Sequence, residues 1–588
     1  MLLIPILLSA QYWGERVTEK SFEQSDLYFN SHYLNPYGIY QFKDASLGLM
    51  NDPFLQTHLN PAYIGDDSVA ANRIYIDFRG DRTEASVVSY GYGARPHYLN
   101  YIDCCIIDPR WYTITRTEPE PVFSFGYRSR LTEKLNFTAG YQFIFRDEKY
   151  YQTPSGIYSP MYGYDYGGNR LAESDAVPIV DRAGGEDKML TRGHLFSASA
   201  GYRLFEKLAL GVTASAVKHS REGQYGYFRN DEYSSTSEDE WSSNNLKSKN
   251  QDYKHIEISS GLCWYLSEKL DIGLKVSLLD GTADQDYSQG DSSVYRRYVN
   301  NNYENFNLNS TKQTWEHDGT SKQGIFTLNY KMSPSRGIHI FARYGKKLVD
   351  LINSSVINDT SHYQGEYSYS GSSSNYNSWS YLKDNRTGTG ETEQEIQEVM
   401  VSFRWWETAK TKVNLGLYFS NNYFTTNTSE PVIFSSESYY YRWRHYPPED
   451  PYEYTRYGSR YENKRLAWKM ETTKQTMQIP ILIERHFSKN WSFFVLANKI
   501  WDYWRIEDVT TAYFTVRRTN ENGVQSEEEN FGERYSQPVK SISEDRLDIM
   551  GGLTLNLSEN LKVSMIADPE INPHWHMAQW WLKFQFRL

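Results

Sequence analysis

A chain of 588 residues with a formal net charge of -11, its Lys and Arg scattered among Asp and Glu, offers no basic face to a nucleic acid. Aromatic residues make up 16% of it, yet mean hydropathy is -0.69 and no apolar run approaches the ~20 residues of a membrane helix, which excludes a helical membrane protein. Such a composition suits a β-barrel, where only alternate residues touch lipid, and with no linker to divide the chain a single large architecture is expected.

In chain order, residues 1–10 form a short apolar run ending at Ala10, read as the remnant of a secretory signal peptide. Residues 11–72 are read as an N-terminal periplasmic or plug segment, polar and aromatic at first, and residues 73–588 as the barrel. Within the segment, Asp52-Pro53 and Asn60-Pro61 are turn-starting pairs around a short helical patch.

Asp52-Pro53 followed by Asn60-Pro61-Ala62 resembles the N-terminal segment of the FadL-like and PorV-like outer-membrane families, over about 25 residues. Tyr63 departs from the resemblance, standing where those families usually have Gly, and the Gly-rich lead is reduced to Gly48. The resemblance implies that the segment sits inside the barrel as a plug or hatch, with Asp52, Pro53, Asn60, Pro61 and Ala62 as its candidate residues.

The strands then come in pairs. Phe196, Ala198, Ala200, Tyr202 and Leu204 alternate with Ser197, Ser199, Gly201 and Arg203; beyond the turn at Glu206-Lys207, Leu208, Leu210, Val212, Ala214 and Ala216 do the same. This period of two marks a β-hairpin with one apolar and one small, polar face. A sandwich would turn the apolar face inward; a membrane barrel would turn it to lipid. Similar hairpins close at 132–134, 267–269, 333–336 and further short turns, giving an antiparallel transmembrane β-barrel of about 16 strands, within about 14–18.

Between the hairpins lie long segments, roughly 153–192, 223–252, 284–320, 350–392, 428–469 and 505–544, full of Tyr, Asn, Ser, Asp and Glu. Short periplasmic turns on one side and long extracellular loops on the other is the asymmetry of a Gram-negative outer-membrane barrel. At the C terminus Trp580, Leu582, Phe584, Phe586 and Leu588 share one face, similar to the strand signal read by the barrel-assembly machinery, although Leu588 stands in place of a terminal aromatic. This last strand must pair with the first, because an open edge is intolerable in lipid. Trp405, Trp491, Trp501, Trp504 and Trp580 lie near strand ends, as in an aromatic girdle.

No catalytic constellation emerges, so no enzyme activity and no cofactor are expected. The cysteines Cys104, Cys105 and Cys263 form neither a disulfide framework nor a metal spacing, and His574-Trp575-His576 lacks a third ligand. Pro480, inside an apolar strand, gives no backbone donor and implies a bulge or a gap in pairing, making it the candidate for a lateral opening. Alternation places Arg128, Arg146, Arg203, Asp271, Lys275, Arg343 and Arg404 toward the lumen, where they tune the passage of polar solutes or pair with each other and the plug.

The expected role is passive uptake or binding of a small, hydrophobic ligand, by resemblance to the FadL-like group. The alternative is a non-transporting scaffold or secretion shuttle like the PorV-like members, acting on a secreted protein through its Tyr-rich loops. An ion-conducting porin and a soluble sandwich are the residual alternatives. The implied partners are outer-membrane lipid and lipopolysaccharide and the barrel-assembly machinery.

Overall fold

The computed structural model describes residues 49, 59–65, 72–81, 121–150, 187–233, 239–297, 303–333, 335–369, 371–408, 410–536, 539–570 and 576–588. The signal remnant at 1–10, Asp52, Pro53, Cys104, Cys105 and His574 lie outside them, as do the side chains of Arg146 and Trp580.

The strands are β1 (Arg73–Asp81), β2 (Pro121–Arg130), β3 (Leu135–Tyr150), β4 (Asp187–Phe205), β5 (Leu208–Tyr233) and β6 (Asp239–Ser267). They continue as β7 (Leu270–Arg297), β8 (Tyr303–Ser333), β9 (Arg336–Tyr369), β10 (Ser372–Glu407), β11 (Thr411–His445) and β12 (Tyr452–His486). The last are β13 (Trp491–Glu521), β14 (Val524–Ser536), β15 (Lys540–Asn556), β16 (Leu561–Glu570) and β17 (His576–Arg587). Each strand pairs antiparallel with its neighbours, and β1 pairs with both β2 and β17, closing the sheet. β14 and β15 lie end to end against the upper and lower parts of β13, so the seventeen strands make sixteen staves. Closure pairs Ile76 with Phe584 and Phe78 with Leu582, and removes the edges that lipid would not tolerate.

The alternation now acquires a direction. Ile256, Ile258, Leu274, Val276 and Leu278 are each more than half exposed on the outside, whereas Tyr253, His255, Cys263, Lys275 and Leu279 are buried on the inside. A contiguous apolar surface of this kind is a lipid-facing belt and excludes the sandwich. On β13 the belt runs between the outward Trp491 and Trp501, ten positions apart, close to the about 9–11 residues that a strand needs to cross a bilayer. Trp405 is exposed beside a short turn. Trp504 differs from the girdle reading: it has the parity of the inner face and carries the Lys474 ammonium 4.5 Å from its ring centre.

The long segments between hairpins are built mainly as paired strand. β9, β10, β11 and β12 have 34, 36, 35 and 35 residues, about three times what the bilayer requires. Ladders run without a break in register from Phe403 opposite Ile338 to Ser372 opposite Tyr369, across the whole of 350–392. These stretches read as loops because both faces are polar beyond the belt, so the alternation that betrays a strand is lost.

Candidate functional site

Asn60 to Ile64 are buried inside the barrel. Pro61 opens a short 3-10 turn, Pro61–Gly65, where its missing N–H is no loss. Asn60 caps it: its Oδ1 accepts the Ala62 N–H at 2.9 Å, its carbonyl accepts the Tyr63 N–H at 3.1 Å, and its Nδ2 donates to the Leu262 carbonyl at 2.8 Å. The turn rests on bare backbone. Gly201, Gly211 and Gly261 form one ladder row across β4, β5 and β6. A Cβ on Gly211 would fall 2.2 Å from the Pro61 carbonyl carbon, and one on Gly261 would fall 2.0 Å from Asn60 Oδ1. Any side chain at either position displaces the turn.

Side chains of the wall satisfy what the turn leaves open. The Ile64 carbonyl accepts from Arg128 Nη2 at 3.0 Å and from Asn136 Nδ2 at 2.8 Å. The Tyr63 hydroxyl lies 2.8 Å from Thr327 Oγ1 and donates to Asp271 Oδ1 at 3.2 Å, and Asn329 Nδ2 donates to the same carboxylate at 2.7 Å. Tyr63, which departs from the family resemblance, is thus bonded to β7 and β8 in its own way. Across the lumen, Asn414 Nδ2 donates to the Leu49 carbonyl at 2.8 Å. Buried backbone carbonyls without secondary-structure partners require such donors.

The remaining lumen-side charges are spread over the bore. Arg343 and Glu398 form a buried ion pair between β9 and β10. Lys275 is buried on the lumen face of β7. Arg203 donates to the Glu206 carbonyl at 2.9 Å and lies over the Tyr265 ring near the short turns, and Arg404, half-buried, keeps the lumen-facing parity at the same end. Of the predicted lumen charges, Arg128 and Asp271 bond the N-terminal turn.

What the sequence reading missed is the apolar lining opposite the seat. Leu49 and Leu59 pack in one buried cluster with Ile325, Phe341, Met400, Tyr418, Leu482 and Leu496. The signal was present: Ile479-Pro480-Ile481-Leu482-Ile483 and Phe493-Phe494-Val495-Leu496-Ala497 are unbroken apolar runs, as expected of strands with apolar neighbours on both faces.

Pro480 stands in this wall. Its side chain is buried, and on the β13 side it pairs with Asn498 in unbroken register. On the β11 side the ladder holds at Leu415 opposite Ile481 and resumes at Tyr418 opposite Gln478, leaving Gly416 and Leu417 unpaired against Pro480 and Ile479. The register does not shift, so the proline makes a gap and no bulge. Gly416 leaves room for the ring: a Cβ there would lie 2.8 Å from Met400 Cε and 2.9 Å from Pro480 Cγ. Pro431 leaves a similar gap against β10 at Thr387 and Gly388, but far above the belt, where Glu430 and Arg386 pair behind it. Among the described residues, the Pro480 gap lies at belt height beside Met400 of the apolar cluster.

No protein-family model and no curated protein matches the chain. Among solved structures, the CymD monoaromatic hydrocarbon channel aligns at 11% identity over 67% of this chain and 93% of its own, with a TM-score of 0.26. A Pseudomonas aeruginosa FadL homologue aligns at 9% identity over 92% and 95%, with a TM-score of 0.30. The ferric-catecholate import receptor Fiu from E. coli K12 aligns at 6% over 88% and 81%, with a TM-score of 0.26. Likenesses this distant carry no argument about the activity of this chain.

Proposed function

We propose that the protein is an outer-membrane channel for passive uptake of a small hydrophobic ligand, with Asn60-Pro61-Ala62 as the seated part of a plug and the Gly416–Leu417/Ile479–Pro480 gap as a lateral exit. One observation carries this reading: a buried cluster packs Leu49 and Leu59 of the N-terminal segment with Met400, Tyr418 and Leu482, next to the gap. An apolar ligand released by displacement of the segment meets apolar side chains up to a break in the ladder, and leaves into lipid without crossing water. A water-filled porin has no use for such a lining. The partners then include outer-membrane lipid and lipopolysaccharide, and the last strand serves assembly.

The test is a reversible lock. In a Cys104→Ser, Cys105→Ser background, Leu417→Cys with Ile479→Cys places two thiols at opposed positions across the gap. Uptake of a radiolabelled alkylbenzene by cells displaying the protein is expected to fall to background on oxidation and to return on reduction. Uptake indifferent to the lock rules out the lateral exit. The scaffold reading has its own support in the Tyr-rich tips, which are ordered ladders rather than loops.

A further inference from the structure

The far ends of the hairpins carry a face unlike the rest of the bore. Unbroken register extends the inner-face parity to the tips, so that one ladder row reads Tyr303, Gly365, Tyr376, Arg442, Tyr454 across β8 to β12. The adjacent row reads Asn305, Tyr363, Ser378, Tyr440, Arg456, and Arg444 stands opposite Tyr452 one row further out. Arg442 and Arg444 are half-buried, while Tyr452, Tyr454 and Arg456 are exposed.

Two properties of this face point to a ligand. The first is charge. Deeper in the extension the arginines are neutralised: Arg386 pairs with Asp384 and Glu430, Arg460 with Glu462, and Arg517 with Glu462 and Glu533. Arg442, Arg444 and Arg456 make no ion pair among the described residues, although the chain as a whole carries -11. Arg444 lies over the Tyr446 and Tyr452 rings, and guanidiniums gathered on one face without a carboxylate partner complement an anion, their planar forks matching a carboxylate. The second is hydroxyl density. The rings of Tyr303, Tyr363 and Tyr376 pack on one another, with centroids 4.8 and 4.7 Å apart for successive pairs, and Tyr376 lies flat over Gly365. Tyr363 bonds through its hydroxyl to Tyr376 and Tyr303, beside the half-buried Ser378. Burial, then these hydrogen bonds to Tyr376 and Tyr303, raise the pKa of Tyr363.

We infer that this Tyr, Arg and Ser face binds an acidic oligosaccharide of the uronic-acid type. The guanidiniums take the carboxylates, the Tyr and Ser hydroxyls exchange hydrogen bonds with sugar hydroxyls, and Tyr452, held under Arg444 and parallel to Tyr454, forms with it an exposed aromatic edge for one sugar ring. Single-stranded nucleic acid fits less well, because its bases need free ring faces and three of these rings are packed against each other.

The test uses the full chain in nanodiscs with a labelled polyguluronate oligomer, followed by fluorescence anisotropy. Binding is expected, weakening as salt rises, with no binding of neutral dextran. Arg442→Gln, Arg444→Gln and Arg456→Gln combined are expected to lower affinity at least tenfold, and Tyr452→Ala with Tyr454→Ala several-fold. Removal of equal charge at the short-turn end, by Lys331→Gln, Arg336→Gln and Lys410→Gln, should leave affinity unchanged and shows that position, not net charge, matters. Heat-modifiable mobility on gels confirms that each variant is folded. Failure of the wild type to bind, equal affinity of the triple arginine variant, or tighter binding of a single-stranded oligonucleotide overturns the inference.

Discussion

The two sides of the lumen are built for opposite purposes. Around Asn60–Ile64, from β2 to β8, the inner wall offers a glycine row under Pro61 and the polar side chains Arg128, Asn136, Asp271 and Thr327, arranged to satisfy a specific turn. On the other side, β10 to β13 contribute Met400, Tyr418, Leu482 and Leu496 to an apolar cluster, bond the Leu49 carbonyl through Asn414, and contain the interrupted ladder. A polar wall fixes one geometry, because each buried donor and acceptor must be met. An apolar wall is indifferent to what covers it, so in the channel proposed above Leu49 and Leu59 give way to a ligand. Immobilisation and permissiveness are thus separated across one bore.

The comparison breaks most sharply at the seat. Gly261→Val should displace Asn60 and Pro61 altogether while leaving the belt intact, giving a folded barrel whose N-terminal segment becomes sensitive to protease and whose conductance in planar bilayers rises about tenfold or more. An unchanged, closed barrel would mean that the turn does not hold the bore shut. Asn60→Ala is milder: it removes the bonds to Leu262 and Ala62 and leaves the buried Ala62 N–H without its acceptor, a loss of about 1–3 kcal/mol that should appear as intermittent opening in single-channel records.

On the other wall, Pro480→Val supplies a backbone donor opposite Gly416. Ligand uptake should fall several-fold while plug sensitivity to protease stays as in the wild type; a rise in uptake would show that the gap is no exit. The smallest effect is expected from acid. Above the belt, burial holds the His219 imidazole down to about 3, helped by the nearby His255 and Arg221, and that of His317 down to about 4. Unfolded, both bind a proton near 6.5, so between that pH and about 4 the unfolded state holds more protons and stability falls as pH falls. Urea midpoints of the extension, read by Trp fluorescence, should decrease over this window, and His219→Leu should flatten the slope.

Much of the belt was legible in the sequence because lipid outside and a polar lumen inside impose a strict period of two, as in Phe196 to Leu204 and Leu208 to Ala216. The count of about sixteen staves and the closure of the last strand on the first followed from that. The extension was not legible as strand: in residues such as Asn375 to Tyr381 both faces are polar, and only the ladder to β9 and β11 makes them β. Asn60-Pro61-Ala62 stood out as a turn, yet nothing in it names Gly211 and Gly261 as its seat, since they lie about 150 and 200 residues away.

By itself, then, the sequence determined the local facts: which residues alternate, where the short turns fall, and that Pro480 withholds a donor, all set by neighbours within a few positions. Tertiary structure alone decided which face meets lipid, which carbonyl Asn60 reaches, that the gap borders an apolar cluster, and that Arg442, Arg444 and Arg456 share a face with tyrosines from three other strands. Those outcomes depend on strand register around a closed barrel, and register is a property of pairs of strands that no single segment contains.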